Sequence, residues 1–369
     1  MIKPLTSLRF FFSVLVFTSH LWFLEYDHPT VAYIHKNIFK EGFIGVSFFF
    51  ILSGFIMSYS YGQKLLEDRI SFTNYWVARV ARIYPVHFLT LVLAIPLSFN
   101  TDIISWVDKL LLNLLLLQSF IPSDGYYLTF NAVSWSISTE MFFYIVFPVL
   151  VLLFTRKKLR WAVIMPYIIL VPVGIALTKE ALHHAIFYVN PLMRLGDFIV
   201  GMMLYRLYAQ RKDSEYLNNR RFANIAEVFT MLTMFGFLYF YKSIPMGYRY
   251  SLYYLPPMAL LVYVFSYSKG FISDIMSHRL FVFLGDVSFA FYMLHILVIR
   301  YYTMLQAEFT ILPLNYIAAI ILYFITLGLA IIVHKYFEMP VSHYLRKTYT
   351  NRTIFNVFLK AKKTLTRPR

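Results

Sequence analysis

The 369-residue sequence contains no cysteine, which removes disulfides, thiolate metal ligands and a cysteine nucleophile from consideration. Any chemistry must be done by hydroxyl, imidazole and carboxylate groups. Charge is scarce too: Asp, Glu, Lys and Arg make up 14% of the chain, 59% is hydrophobic, and the mean hydropathy is +0.62. A soluble domain carries about 25% charge, so a water-soluble fold is excluded. Acids are the rarer sign, 18 against 34 Lys and Arg, for a formal net charge of +16. The basic residues sit between apolar runs rather than on one soluble face. The bias of Lys and Arg towards the cytoplasmic side of membranes explains them better than nucleic-acid binding, and no nucleic-acid partner is expected.

Other absences narrow the field further. Neither Arg82-Ile-Tyr-Pro85 nor Phe50-Ile-Leu-Ser-Gly54 recurs, which argues against a transporter built from inverted repeats. The histidines are scattered, and His183-His184 has no carboxylate at ligand spacing, so no metal site is expected. No small-residue cleavage site follows the first apolar run, which therefore reads as an uncleaved first helix.

What the sequence has is apolar length. The windows Leu8–Leu24, Phe43–Tyr61, Ile137–Phe154, Trp161–Leu177 and Ile311–Val333 reach the roughly 17–25 residues needed to cross a bilayer as a helix. The expectation is an all-α, polytopic membrane bundle. Its clearest basic segments are Lys64 to Arg82, Arg156 to Arg160, Arg206 to Arg221 and Arg346 to Arg369. Placing all four on one side requires an even number of crossings between neighbours. Three apolar stretches separate Arg82 from Arg156, so one of them, near 103–122, is assigned as re-entrant or interfacial. The result is about ten spans with both termini cytoplasmic, a membrane domain over 1–340 and a basic tail over 341–369. The tail holds eight Lys and Arg and no acid from Arg346 onward, and suits anionic lipid headgroups.

A charge inside a span costs about 2.5–3.5 kcal/mol on insertion scales, so each needs a partner or a task. Arg9 and His20 lie eleven residues apart, on one helix face and about 16 Å apart along the axis. His20 is either a structural hydrogen-bonding group or a general base. Arg79 and Arg82 share one side of a helical turn and can clasp phosphates, or simply serve as positive-inside charge. Glu140, among Trp135, Ser136 and Tyr144, orients His20, binds an acceptor or forms a helix-end pair. Arg194 and Asp197 are one turn apart and read as a structural pair. Asp286 and His295 follow on a late span, with His295 at the same depth as His20.

These segments together resemble the acyltransferase-3 family of membrane O-acyltransferases that modify bacterial O-antigen, exopolysaccharide and peptidoglycan. The resemblance rests on Arg9 to His20, Gly45-Val-Ser-Phe-Phe-Phe-Ile-Leu-Ser-Gly-Phe55, Arg79 to Pro85, Trp135 to Glu140 with Phe143-Tyr144, and Leu284 to His295. Arg194 to Gly201 and Phe337-Glu-Met-Pro340 add to it, in family order over nearly the whole chain. It implies that His20 is catalytic with Glu140 beside it in that role, that Arg79 and Arg82 with Arg9 bind the phosphates of acyl-CoA, and that Trp135, Ser136, Tyr144 and His295 support the acceptor side. Many members have an acid where Ser47 stands; others have serine. Some carry an appended hydrolase-like domain, which is not expected here. The implied reaction moves an acyl group, most simply acetyl, from cytoplasmic acyl-CoA to a hydroxyl of a cell-surface or lipid-linked glycan at the bacterial inner membrane. Acyl-CoA is the donor substrate, no bound cofactor is expected, and membrane lipids surround the protein. The alternative from another class is a polysaccharide transporter or flippase, supported by the 20% aromatic content.

Overall fold

A computed structural model describes residues 2–99, 102–309 and 313–351 of the chain. The basic tail is therefore described only as far as Asn351, and its remainder, with Ile311 at the head of the last apolar window, lies outside the described residues. All regular structure among the described residues is helical. The principal helices are α1 (Lys3–Ser19), α2 (Ile44–Met57), α3 (Phe72–Ser98), α4 (Ile103–Leu114), α5 (Trp135–Thr155), α6 (Lys157–Leu177) and α7 (Pro191–Arg211). There follow α8 (Arg220–Phe240), α9 (Leu255–Phe265), α10 (Phe271–Met276), α11 (Arg279–Glu308), α12 (Tyr316–Val333) and α13 (Met339–Asn351).

Among the described residues, seven helical stretches are long and apolar enough to cross a membrane, and the protein is a multi-pass membrane protein. The sequence led to a count near ten. The difference lies in α1, with 17 residues, α9, with 11, and α7, whose interior holds Arg194 and Asp197. Every stretch read as a span nevertheless carries helix among its described residues. Segment 103–122 holds the 12-residue α4, about 18 Å long and too short to cross. Beyond α4 the chain turns sharply at Leu116, whose φ is 56°.

Small residues decide how closely the helices approach. A Cβ on Gly54 of α2 would lie 2.0 Å from the Phe198 carbonyl oxygen of α7, and one on Gly201 of α7 would lie 1.9 Å from that of Ile51. The α2–α7 crossing is thus a reciprocal glycine contact. Gly285 does the same for α11, where an added Cβ would lie 2.1 Å from the Thr6 carbonyl oxygen of α1. Helix α1 consequently runs between α2 and α11, and the site is built along it.

Buried charges are paired, as a low-dielectric interior requires. Arg194 is fully buried, stands 2.6 Å from Asp197 and donates to Ser47 Oγ at 2.8 Å. The expected structural pair is present, with Ser47 as a further partner. Glu227 of α8 caps α10 by accepting the backbone N–H groups of Gly270, Ile272 and Ser273 at 2.8–3.2 Å. Glu41 pairs with Arg249 and accepts from Tyr254 Oη at 2.7 Å.

Candidate active site

Helices α1, α2, α3, α5 and α11 enclose a chamber of about 860 Å³ counting its open mouth. Its polar lining comprises Arg9, Ser53, Arg79, Arg82, Glu140 and Tyr144, with Ser136, Ser288 and Tyr292 alongside. Phe49, Phe50 and Phe289 supply apolar wall, so the charged groups face a space poorer in water than bulk, where their interactions are strengthened. Glu140 accepts from Ser53 Oγ at 3.1 Å and from Tyr144 Oη at 2.5 Å. Tyr144 is held in turn by Tyr75, whose hydroxyl donates to its carbonyl oxygen at 3.0 Å.

The arginines occur where the chamber opens. Arg79 donates to Tyr61 Oη at 2.6 Å, and its guanidinium lies 4.6 Å from that ring's centroid and 5.7 Å from Tyr144's. Such contacts fix a guanidinium plane without consuming its charge. Arg82 forms an ion pair with Glu338, which is buried and also accepts from His334 at 2.9 Å. The i, i+3 spacing therefore does bring both arginines to one cavity, but each is partly engaged by the protein itself. A second cavity continues outward from the first, sharing Arg9, Leu52, Ile56, Arg79 and Arg82.

At the far end of α1 stands a pair of imidazoles. The helix ends at Ser19, and His20 follows as its C-cap with φ −90° and ψ −2°. His20 Nδ1 lies 2.8 Å from the Val16 carbonyl oxygen and 3.3 Å from His295 Nε2. His295, on α11 and fully buried, directs Nδ1 to the Tyr292 carbonyl oxygen at 2.6 Å. A carbonyl oxygen only accepts, so in the neutral pair both Nδ1 atoms carry the proton. His295 Nε2 then shares the His20 Nδ1–H with the Val16 carbonyl oxygen in a three-centre bond, and His20 Nε2 keeps a lone pair.

The sequence-predicted residues are thus distributed over two sites. Arg9, Arg79, Arg82, Glu140, Tyr144 and Ser136 share the chamber; His20 and His295 share the opposite end. Of the three readings open for Glu140, the one in which it orients His20 is not what the structure shows: Glu140 is bound by Ser53 and Tyr144, and the imidazole that contacts His20 is His295. Trp135 is packed against Phe50 and Tyr188, whereas Ser136 bonds Tyr292 Oη at 2.9 Å. Sequence reasoning missed Ser53, Tyr61 and Tyr292, which carry no charge to draw attention. Tyr292 connects the two sites, its ring on the chamber and its carbonyl on His295. Outside the spans, Tyr127 Oη lies 3.0 Å from His184 Nδ1, and burial pushes the His184 imidazole below its ordinary pKa. No cluster of three or more metal-ligating side chains occurs among the described residues.

A family model described as an acyltransferase domain matches residues 4–335. Acyltransferase MdmB of Streptomyces mycarofaciens is 29% identical over 327 residues, covering 81% of this chain and 79% of that protein. A Staphylococcus aureus (strain COL) protein named "Putative O-acetyltransferase SACOL0978" is 24% identical over 339 residues, covering 84% of this chain and 54% of that protein. No solved structure matches the chain.

Proposed function

This chain belongs to the acyltransferase-3 family of membrane O-acyltransferases, and on that premise we propose that it transfers an acyl group, most simply acetyl, from acyl-CoA to a glycan hydroxyl. The observation that carries the reading is the division of chemistry along α1. At one end lies a chamber rich in guanidinium groups, suited to phosphates; at the other lies an imidazole with a free Nε2 lone pair, suited to taking a proton from a hydroxyl. The basic segments near Arg79 and Arg346 favour the arginine end as cytoplasmic, with both termini on that side of a bacterial inner membrane.

The donor's phosphates bind at Arg79, Arg82 and Arg9, and its pantetheine arm brings the thioester inward past Tyr144 and Tyr292. The acceptor hydroxyl approaches from the His20 end. His20 Nε2 takes the hydroxyl proton as the oxygen attacks the thioester carbon; the C–O bond forms, the C–S bond breaks, and the proton passes to the departing thiolate. His295 accepts from His20 Nδ1–H and so supports the imidazolium formed in between, as the third member of a Ser-His-Asp triad does. General base catalysis supplies about 10²–10⁴-fold, and the remaining acceleration comes from positioning. Glu140 acts at the donor end, as counter-charge to the arginines and anchor for Ser53 and Tyr144.

The test is coenzyme A release from acetyl-CoA by purified protein in lipid, with a panel of glycan acceptors. Acceptor-dependent release is expected. Absence of release, with saccharide intermediates still crossing the membrane, would replace this reading by transport.

A further inference from the structure

Helix α13 packs along α3 and brings Arg346 to the outer cavity, where it lines the wall with Arg9, Arg79 and Arg82. The cavity holds about 1230 Å³ counting its open mouth, and among the described residues that line it the only carboxylate is Asp286. Four guanidinium groups thus face one acid. Arg82 is held by Glu338 and Arg79 by Tyr61. Arg346 makes no hydrogen bond or ion pair with any described residue and is exposed, lining the same cavity as Arg79 and Arg82. Like charges gathered at one opening repel unless an anion shares them.

We propose that Arg346 binds a phosphate group of the acyl-CoA donor, making α13 part of the donor site rather than the start of a lipid-bound tail. The assignment rests on the acyl-CoA reading above. When the thioester lies in the inner chamber, the nucleotide end of the donor, which carries the phosphates, is left at the mouth. Arg79 and Arg82 meet the phosphates deeper in; Arg346 closes over them from the rim, its planar fork matched to two phosphate oxygens. A lipid headgroup phosphate presents the same chemistry, and the experiment must separate the two sources.

Full-length protein in phosphatidylcholine nanodiscs is compared with Arg346→Ala and Arg346→Lys by calorimetric titration with coenzyme A and by turnover of two donors. These are acetyl-CoA and S-acetylpantetheine, which has the thioester and arm but no nucleotide phosphates. For Arg346→Ala, coenzyme A affinity and the ratio of kcat/KM for acetyl-CoA over S-acetylpantetheine should each fall about tenfold, equivalent to about 1.4 kcal/mol. The lysine variant should recover part of both. An unaltered affinity and ratio overturns the proposal, as does an equal loss with both donors, which marks a structural role. An effect seen only when phosphatidylglycerol replaces phosphatidylcholine assigns Arg346 to lipid and overturns it too. If wild-type protein binds no coenzyme A, the donor reading falls and this proposal with it; if wild type binds and Arg346→Ala binds equally, only this proposal falls.

Discussion

His295 Nε2 lies 3.3 Å from His20 Nδ1, although 274 residues stand between them in the chain. Two backbone carbonyls, those of Val16 and Tyr292, set the direction of that contact by accepting from the Nδ1 of each ring. His295 is therefore placed to hold the tautomer that leaves His20 Nε2 unprotonated.

Replacing His20 with Ala should lower kcat by about 10²–10⁴-fold, the usual share of a general base. His295→Ala should cost less, on the order of tenfold to a hundredfold, because the base remains but its orientation is lost. His295→Gln should retain more activity than His295→Ala, since an amide oxygen can accept from His20 Nδ1–H. Steady-state kinetics in nanodiscs provides the check. Equal activity of the alanine and glutamine variants would show that acceptance at this position does not matter.

Glu140→Gln should tighten binding of free coenzyme A by a few-fold while lowering kcat. A negative charge leaves an arginine-lined chamber, so phosphates meet less repulsion, but the carboxylate that organises Ser53 and Tyr144 is gone. Calorimetric titration and turnover separate the two effects. A raised KM for the glycan with unaltered coenzyme A affinity would move Glu140 to the acceptor.

Gly201→Ala should destabilise the bundle by about 1–3 kcal/mol or more, as overpacked interiors do, because its Cβ would meet the Ile51 carbonyl oxygen at 1.9 Å. Gly236→Ala on α8, where nothing lies within 4 Å of the added Cβ, should be neutral or stabilising by roughly 0.5–1 kcal/mol. Thermal stability in detergent compares them. Similar melting temperatures would contradict the close α2–α7 crossing.

Acidification should loosen the loop contact between Tyr127 and His184. Burial lowers the folded-state pKa of His184, so its contribution to stability is present above the unfolded value, about 6.5, and is lost as pH falls through the lower folded value. A protonated ring also cannot accept from Tyr127 Oη. Across that interval the Tm of wild type should fall more steeply than that of His184→Gln. Parallel curves would rule out this linkage.

The sequence by itself determined the membrane class, the helix positions, and the residues worth examining. Those properties follow from local composition: twenty apolar residues in a row are a span whatever surrounds them, and a charge among them is conspicuous because it is expensive. The spacing of Arg79 and Arg82 and the pairing of Arg194 with Asp197 are likewise set within a single turn of helix. The partners of these groups were another matter. That Glu140 belongs with Ser53 and Tyr144 rather than His20, that Glu338 holds Arg82, and that His295 reaches His20 were decided only by the tertiary structure. Apart from Glu140–Tyr144, one turn apart on α5, these contacts join segments distant in the chain, and which helices meet is governed by close approaches such as Gly54 against Phe198 and Gly285 against Thr6. One chain position does not reveal which distant backbone it will touch. Arg346 shows the same limit, since its sequence neighbours make it a tail residue and only the packing of α13 along α3 brings it to the cavity mouth.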